Sequence, residues 1–104
     1  MSQNLSQTAE RFLRYAVIDT QSADDKEQMP STEKQRVLGR MLAEELREMG
    51  VSEVREDENG YVYGMIPSNL EEGAAAPALG FISHMDTAPA FSGENVKATD
   101  HRKL

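Results

Sequence analysis

The chain has 104 residues and a formal net charge of −7, from 18 acidic and 11 basic residues, and it contains no cysteine. This length suits one small domain, and the acidic balance argues against nucleic acid or an anionic membrane surface as a partner. Without cysteine there is neither a disulfide framework nor a thiolate metal site. The amino terminus lacks the features of a signal peptide, and no stretch resembles a membrane span, so we expect a cytoplasmic protein.

Two amphipathic helices are predicted in the first half of the chain. Apolar residues recur at helical spacing over 5–18, where Asn4 or Ser6 would cap the helix and the apolar stripe would face the core. A polar loop over 19–31 follows. The second helix is predicted to begin at 31–33, with a capping box formed by Thr32 and Gln35, and to end at Gly50.

The second helix is expected to place one face in the core and another in solvent. Its predicted core stripe consists of Val37, Leu38, Met41, Leu42, Leu46 and Met49, and its predicted solvated face carries Glu44, Glu45 and Glu48. Strands are predicted at 51–56 and 61–66. The intervening Asn59 and Gly60 favour a hairpin because both residue types tolerate positive φ, and Tyr61 and Tyr63 would share one face of the second strand.

An apolar run over 78–82 leads into the candidate site. The run fits a strand buried on both faces, and a buried helix fits the same pattern. If it is a strand, His84 and Asp86 lie at its carboxyl end and point to the same side. Histidine is a common metal ligand, and a nearby carboxylate can fix its tautomer. A histidine that is simply hydrogen-bonded in a core is the alternative interpretation.

Residues 80–89, Gly-Phe-Ile-Ser-His-Met-Asp-Thr-Ala-Pro, and residues 91–96, Phe-Ser-Gly-Glu-Asn-Val, resemble the metal-binding segment of the peptidase T family. These are tripeptide aminopeptidases within a larger family of zinc-dependent exopeptidases and deacylases. Residues 11–15 and 39–46 resemble the first two helices of the same enzymes. We therefore expect 1–104 to be an incomplete, amino-terminal portion of a single catalytic domain, with 97–104 as a divergent tail.

The resemblance implies roles for two residues. His84 would be a ligand to one of two zinc ions, and Asp86 would be a catalytic residue that steadies His84. Zinc polarises a carbonyl and activates water. The family's remaining metal ligands and its paired glutamates lie beyond this chain, and the only other histidine, His101, is in the divergent tail. The implied reaction is release of the amino-terminal residue from tripeptides, and we expect this chain alone to be catalytically silent.

The predicted fold is α/β, with two helices packed on a short mixed sheet that contains the hairpin and the buried strand ending at His84. One alternative function is that of a related dipeptidase, carboxypeptidase or deacylase, because these enzymes share the His-x-Asp motif. Another is a non-enzymatic fragment or small α/β module that buries its apolar edge by self-association as a homo-oligomer.

Overall fold

The computed structural model describes residues 6–99, which form two helices followed by a two-stranded antiparallel sheet. Helix α1 spans Gln7–Ala16 and α2 spans Gln35–Glu48, while strands β1 and β2 are Ser52–Glu56 and Val62–Met65. Helix α2 packs against both strands. The predicted α/β class is confirmed. Among the described residues, no helix is long and apolar enough to cross a membrane.

Helix α1 begins where the sequence indicates but is not buried. The Ser6 hydroxyl accepts a hydrogen bond from the Ala9 N–H at 3.1 Å, so Ser6 is the cap. The alternative cap, Asn4, lies outside the described residues. No residue of α1 is buried, and Phe12 is largely exposed, so the expected core-facing stripe is wrong. Polar contacts around Glu45 connect α1 to α2.

The amino terminus of α2 differs from the predicted capping box. The helix begins at Gln35, and Lys34 in the cap position makes no side-chain capping bond. The Thr32 hydroxyl instead donates to the Gln21 carbonyl at 2.7 Å and accepts from the side-chain Nε2 of Gln35 at 3.0 Å. The Thr32 hydroxyl thus bonds to the preceding loop and to the Gln35 side chain, and not to a backbone N–H of the first turn.

The carboxyl terminus of α2 confirms the prediction for Gly50. This residue has φ +83°, a left-handed conformation that glycine adopts without steric cost. Its N–H donates to the Arg47 carbonyl, and the Val51 N–H donates to the Leu46 carbonyl, each at 3.0 Å. This pair of bonds is the Schellman arrangement, which satisfies two carbonyls at the end of the helix.

The buried face of α2 only partly matches the predicted stripe. Leu38 and Ala43 form the small apolar core of the described residues, and Gln35 and Gly39 are buried on the same face. Two predicted core residues, Val37 and Met49, are about half exposed, so the prediction is wrong for them. The hairpin selects which side of the helix is covered: a Cβ placed on Gly39 would lie 3.6 Å from Val62 Cγ2.

Glu45 does not lie on the solvated face predicted for the helix. Its side chain is 14% exposed, accepts a hydrogen bond from the Tyr15 hydroxyl at 2.8 Å, and lies 3.1 Å from an Arg14 nitrogen. Arg11 is a third partner at 3.4 Å. The prediction failed because the partners of Glu45 belong to α1, about 30 residues earlier in the chain, and spacing within one helix does not reveal such contacts.

The predicted hairpin is present, and the five residues 57–61 connect its strands. Gly60 has φ +83° and donates to the Asp57 carbonyl at 3.0 Å, whereas Asn59 does not adopt positive φ. The Asp57 carboxylate accepts the N–H groups of Asn59 and Tyr61, each at 2.9 Å. The rings of Tyr61 and Tyr63 meet edge to face with centroids 6.4 Å apart, which confirms that they share a face.

The expected buried strand over 78–82 is wrong. These residues form no strand in the structure, and the side chains of Leu79, Phe81 and Ile82 are 80%, 90% and 101% exposed. The sheet is consequently antiparallel and not mixed. A parallel strand needs hydrogen-bonded neighbours and cover on both faces, and the described residues provide neither for this segment.

Candidate metal centre

The two candidate site residues lie directly after the exposed apolar run. His84 Nδ1 is 2.9 Å from Asp86 Oδ1, so the two side chains point to the same side as predicted, although the segment is not a strand. The His84 side chain is 84% exposed and that of Asp86 is 38% exposed. With Nδ1–H donating to the carboxylate, Nε2 is left as an accessible acceptor, which is the form of histidine that binds metals.

Thr87 anchors this pair to the loop that precedes α2. The Thr87 N–H donates to the Thr20 carbonyl at 3.0 Å, and the Ser22 N–H donates to the Thr87 carbonyl at 2.9 Å. The Ser22 hydroxyl donates to the same carbonyl at 2.8 Å. These bonds form a parallel β-bridge between Gln21 and Thr87, one residue beyond Asp86. The position of the pair is thus set from its carboxyl-terminal side.

A groove of about 600 Å³ runs between the candidate pair and the hairpin. His84, Asp86 and Phe81 line it together with the hairpin residues Tyr61 and Val62. This volume falls in the range of sites that accept small ligands, and mainly apolar walls with a few polar groups are typical of such sites. The arrangement places a nitrogen ligand and a carboxylate at the edge of an apolar groove.

The described residues supply part of a metal site and not all of one. His84, oriented by a carboxylate, has the donor chemistry of a zinc ligand. Within residues 6–99, however, no three histidine, aspartate or glutamate side chains are grouped so that they could hold an ion. A catalytic zinc site normally has three protein ligands. His101, the other histidine, lies outside the described residues.

Sequence reasoning missed three polar residues that surround the anchor of the site. Asp19, Gln21 and Lys34 were treated as parts of a surface loop and a helix start, yet Lys34 Nζ is 2.9 Å from Asp19 Oδ2 and 3.4 Å from Gln21 Oε1. No local pattern marks them, because the residues meet through tertiary folding. Asp24 and Asp25, in the same loop, are exposed.

Comparison with known proteins supports the resemblance inferred from the motifs. The chain is 53% identical over 92 residues to peptidase T of Clostridium acetobutylicum, which covers 88% of this chain and 22% of that protein. It is 54% identical over 94 residues to peptidase T of Desulfitobacterium hafniense, covering 90% of the chain and 22% of the relative. It is 58% identical over 88 residues to peptidase T of Aliivibrio fischeri, which covers 85% of this chain and 21% of that protein.

The matches cover most of this chain but only a small part of each relative. No family model matches the chain. The chain spans about a fifth of the length of the curated relatives that it matches, although the match includes most of its own residues. Identity near one half over some 90 residues is far above what chance produces, and the predicted resemblance is confirmed: over the matched residues this chain is a relative of the peptidase T proteins and corresponds to about a fifth of their length.

Proposed function

We propose that this chain contributes the first metal-binding segment of a zinc-dependent tripeptide aminopeptidase, with His84 as a zinc ligand and Asp86 as the carboxylate that orients it. The observation that carries the proposal is the 2.9 Å contact between His84 Nδ1 and Asp86 Oδ1, which leaves Nε2 available in an accessible position. The relatives named peptidase T add a hydrolase context. Zinc as the metal, two ions per complete enzyme, tripeptides as substrate and the cytoplasm as location all belong to this proposal.

The residues present indicate what this chain does at such a site. Asp86 fixes the His84 tautomer and restricts rotation of the ring, and both effects favour binding of a cation at Nε2. Bound zinc would lower the pKa of a water molecule and polarise a peptide carbonyl. The apolar groove beside His84 offers a surface for substrate side chains. Because one histidine does not complete a zinc site, we expect the 104-residue chain alone to show no peptidase activity.

The ligand role of His84 is testable without activity. In the 15N-labelled chain, zinc titration is expected to shift the backbone amide signals of residues 83–87 with a dissociation constant on the order of millimolar, since a single imidazole is a weak site. The His84→Ala variant should lose this response. Its matched control is Ser83→Ala, one residue earlier in the same exposed segment, which should retain the response. An unchanged zinc response in His84→Ala would contradict the proposal.

The catalytic part of the proposal needs a separate assay. Purified chain, supplemented with zinc, is incubated with a simple tripeptide in the presence and absence of a chelator. Absence of cleavage agrees with an incomplete site. Chelator-sensitive cleavage would show that the missing ligands are supplied within the preparation, and the assignment of a single ligand would then be wrong.

The exposed apolar segment favours a second candidate, a module that associates with another copy of itself. Leu79, Phe81 and Ile82 lie close together in the sequence and are largely exposed. Exposed apolar segments without a strand partner pair readily with a strand of another molecule. The net charge of −7 opposes self-association, so raising the salt concentration should strengthen it. Light scattering at two salt concentrations tests this candidate, and a monomer under both conditions would exclude it.

A further inference from the structure

The Gln21 side chain connects the loop before α2 to the segment that carries the candidate metal ligand. Its Nε2 group donates to the Pro89 carbonyl at 2.9 Å, and its Oε1 atom lies 3.4 Å from Lys34 Nζ. Its backbone lies in the parallel bridge with Thr87. The backbone bonds of this bridge are made by Thr20 and Ser22 on either side of Gln21, and the Gln21 side chain adds the bond to Pro89.

Asp19 and Lys34 fix the orientation of this glutamine. Asp19 Oδ1 accepts the Gln21 N–H at 3.1 Å, and Asp19 Oδ2 is 2.9 Å from Lys34 Nζ. The bond from Lys34, and after it the bond from the Gln21 N–H, lower the pKa of Asp19 below its ordinary value. Asp19 is thus ionised at neutral pH, so that both of its oxygens remain acceptors. Both polar atoms of the Gln21 side chain therefore have a partner: Nε2 bonds to the Pro89 carbonyl, and Oε1 lies beside Lys34 Nζ.

The network is packed as well as hydrogen-bonded. Thr20 is 2% exposed, and Gly93 is buried against Asp19. A Cβ built on Gly93 would lie 2.6 Å from Asp19 Oδ1, closer than real side chains approach. The chain beyond Pro89 therefore returns over the loop and restricts the Asp19 carboxylate from its other side.

The segment on the other side of the candidate pair provides no comparable anchor. Residues 79–82 are exposed, and a Cβ on Gly80 would meet no atom within 4 Å. In the part of the chain that the structure describes, the position of His84 and Asp86 thus depends on contacts from the 87–89 side. Loss of those contacts leaves a short peptide whose backbone is free to rotate, which disperses the two side chains.

We propose that Gln21 is a positioning residue for the His84 and Asp86 pair, with Asp19 and Lys34 holding its amide in place. It acts through its bond to the Pro89 carbonyl, which supports the backbone bonds that Thr20 and Ser22 make to Thr87. The inference rests on the proposed role of His84 as a metal ligand where it concerns zinc. The effect on the geometry of the pair does not depend on a metal.

The experiment compares Gln21→Ala with Gln28→Ala in the full 15N-labelled chain. Gln28 is a matched control, because its amide donates to the Ser31 carbonyl at 3.3 Å within the same loop and does not reach the 84–89 stretch. Three quantities are measured by NMR: amide exchange at Thr87, the share of the Nδ1–H tautomer of His84, and the zinc concentration that half-saturates the His84 ring shift. The tautomer share reports on the contact between His84 and Asp86 itself. It therefore distinguishes a loss of positioning from a general loss of stability.

Gln21→Ala is expected to speed exchange at Thr87 by about fivefold, the effect of one lost hydrogen bond on local opening. The tautomer share should fall toward that of a free histidine side chain. The zinc midpoint should rise by about threefold, which is less than the loss seen when a direct orienting partner is removed. Gln28→Ala should leave all three unchanged.

Lysine variants provide a second and independent perturbation. Lys34→Met removes the cation that orients Gln21 and should reproduce the changes in part, whereas Lys34→Arg should restore wild-type values. If Gln21→Ala leaves exchange at Thr87 and the His84 tautomer unchanged, the positioning role is overturned. If both change while even the wild-type chain shows no zinc response, the positioning role stands and the proposed metal function fails.

Discussion

Replacing Glu45 with glutamine tests how helices α1 and α2 are joined. The carboxylate accepts the Tyr15 hydroxyl at 2.8 Å and lies 3.1 Å and 3.4 Å from the Arg14 and Arg11 guanidinium groups. Together with a bond from Arg11 to the Met49 sulfur at the end of α2, these polar contacts connect the two helices. Glutamine has nearly the same shape, so the substitution removes the charge without opening a cavity. The loss of stability then reports on charge-assisted bonding.

The expected loss is about 1–2 kcal/mol. A hydrogen bond to a charged group contributes about 1.5–3 kcal/mol when it is partly buried. Arg11 and Arg14 are 34% and 50% exposed, so water replaces the lost carboxylate around them and screens their ion pairs. Glutamine retains an acceptor for the Tyr15 hydroxyl, which keeps the loss below the upper end of that range.

The effect has a defined dependence on pH. Burial by itself would raise the pKa of Glu45, but the Tyr15 hydroxyl and the Arg14 guanidinium outweigh it and lower that pKa below its ordinary value of 4.5. A carboxyl group with a lowered pKa stabilises the folded chain above its unfolded pKa and loses this contribution as pH falls through the folded pKa. The difference between wild type and Glu45→Gln should be constant above pH 4.5 and shrink below it.

Urea unfolding followed by circular dichroism measures this difference at neutral and acidic pH. The matched control is Glu44→Gln on the same helix, since Glu44 is 69% exposed and pairs only with the neighbouring Arg47 at 3.2 Å. That variant should lie within about 0.5 kcal/mol of wild type. Equal unfolding free energies for the two variants, or a Glu45→Gln effect that does not change in acid, would refute the reasoning.

Two further substitutions probe packing. Gly93→Ala is expected to displace the Asp19 carboxylate and to increase amide exchange at Thr87, whereas Gly80→Ala, at an open position, should not; equal exchange in both would contradict the packing described here. Leu38→Ala should lower the free energy of unfolding by about 2–3 kcal/mol, because Leu38 is 6% exposed in the core. Val37→Ala, at a residue that is 51% exposed, should cost less than about 1 kcal/mol, as urea unfolding can measure.

Features that depend on a few neighbouring residues were predictable from the sequence. The Ser6 cap, the left-handed Gly50 that ends α2 and the hairpin at Gly60 each follow from the conformational preferences of one or two residue types. The prediction that His84 and Asp86 share a side assumed a strand, which the structure does not contain, but two residues so near in sequence still meet at 2.9 Å. Local geometry is sufficient for all of these.

Features that depend on distant partners were decided only by the tertiary structure. An apolar run predicts that residues 78–82 would be buried, but burial requires neighbours that residues 6–99 do not provide, and the run is exposed. Glu45 is held by α1, and Gln21 reaches Pro89, 68 residues later in the chain. The sequence determined which groups can bond and which segments can turn. Which of them meet is set by long-range packing, and no periodicity within a single segment encodes it.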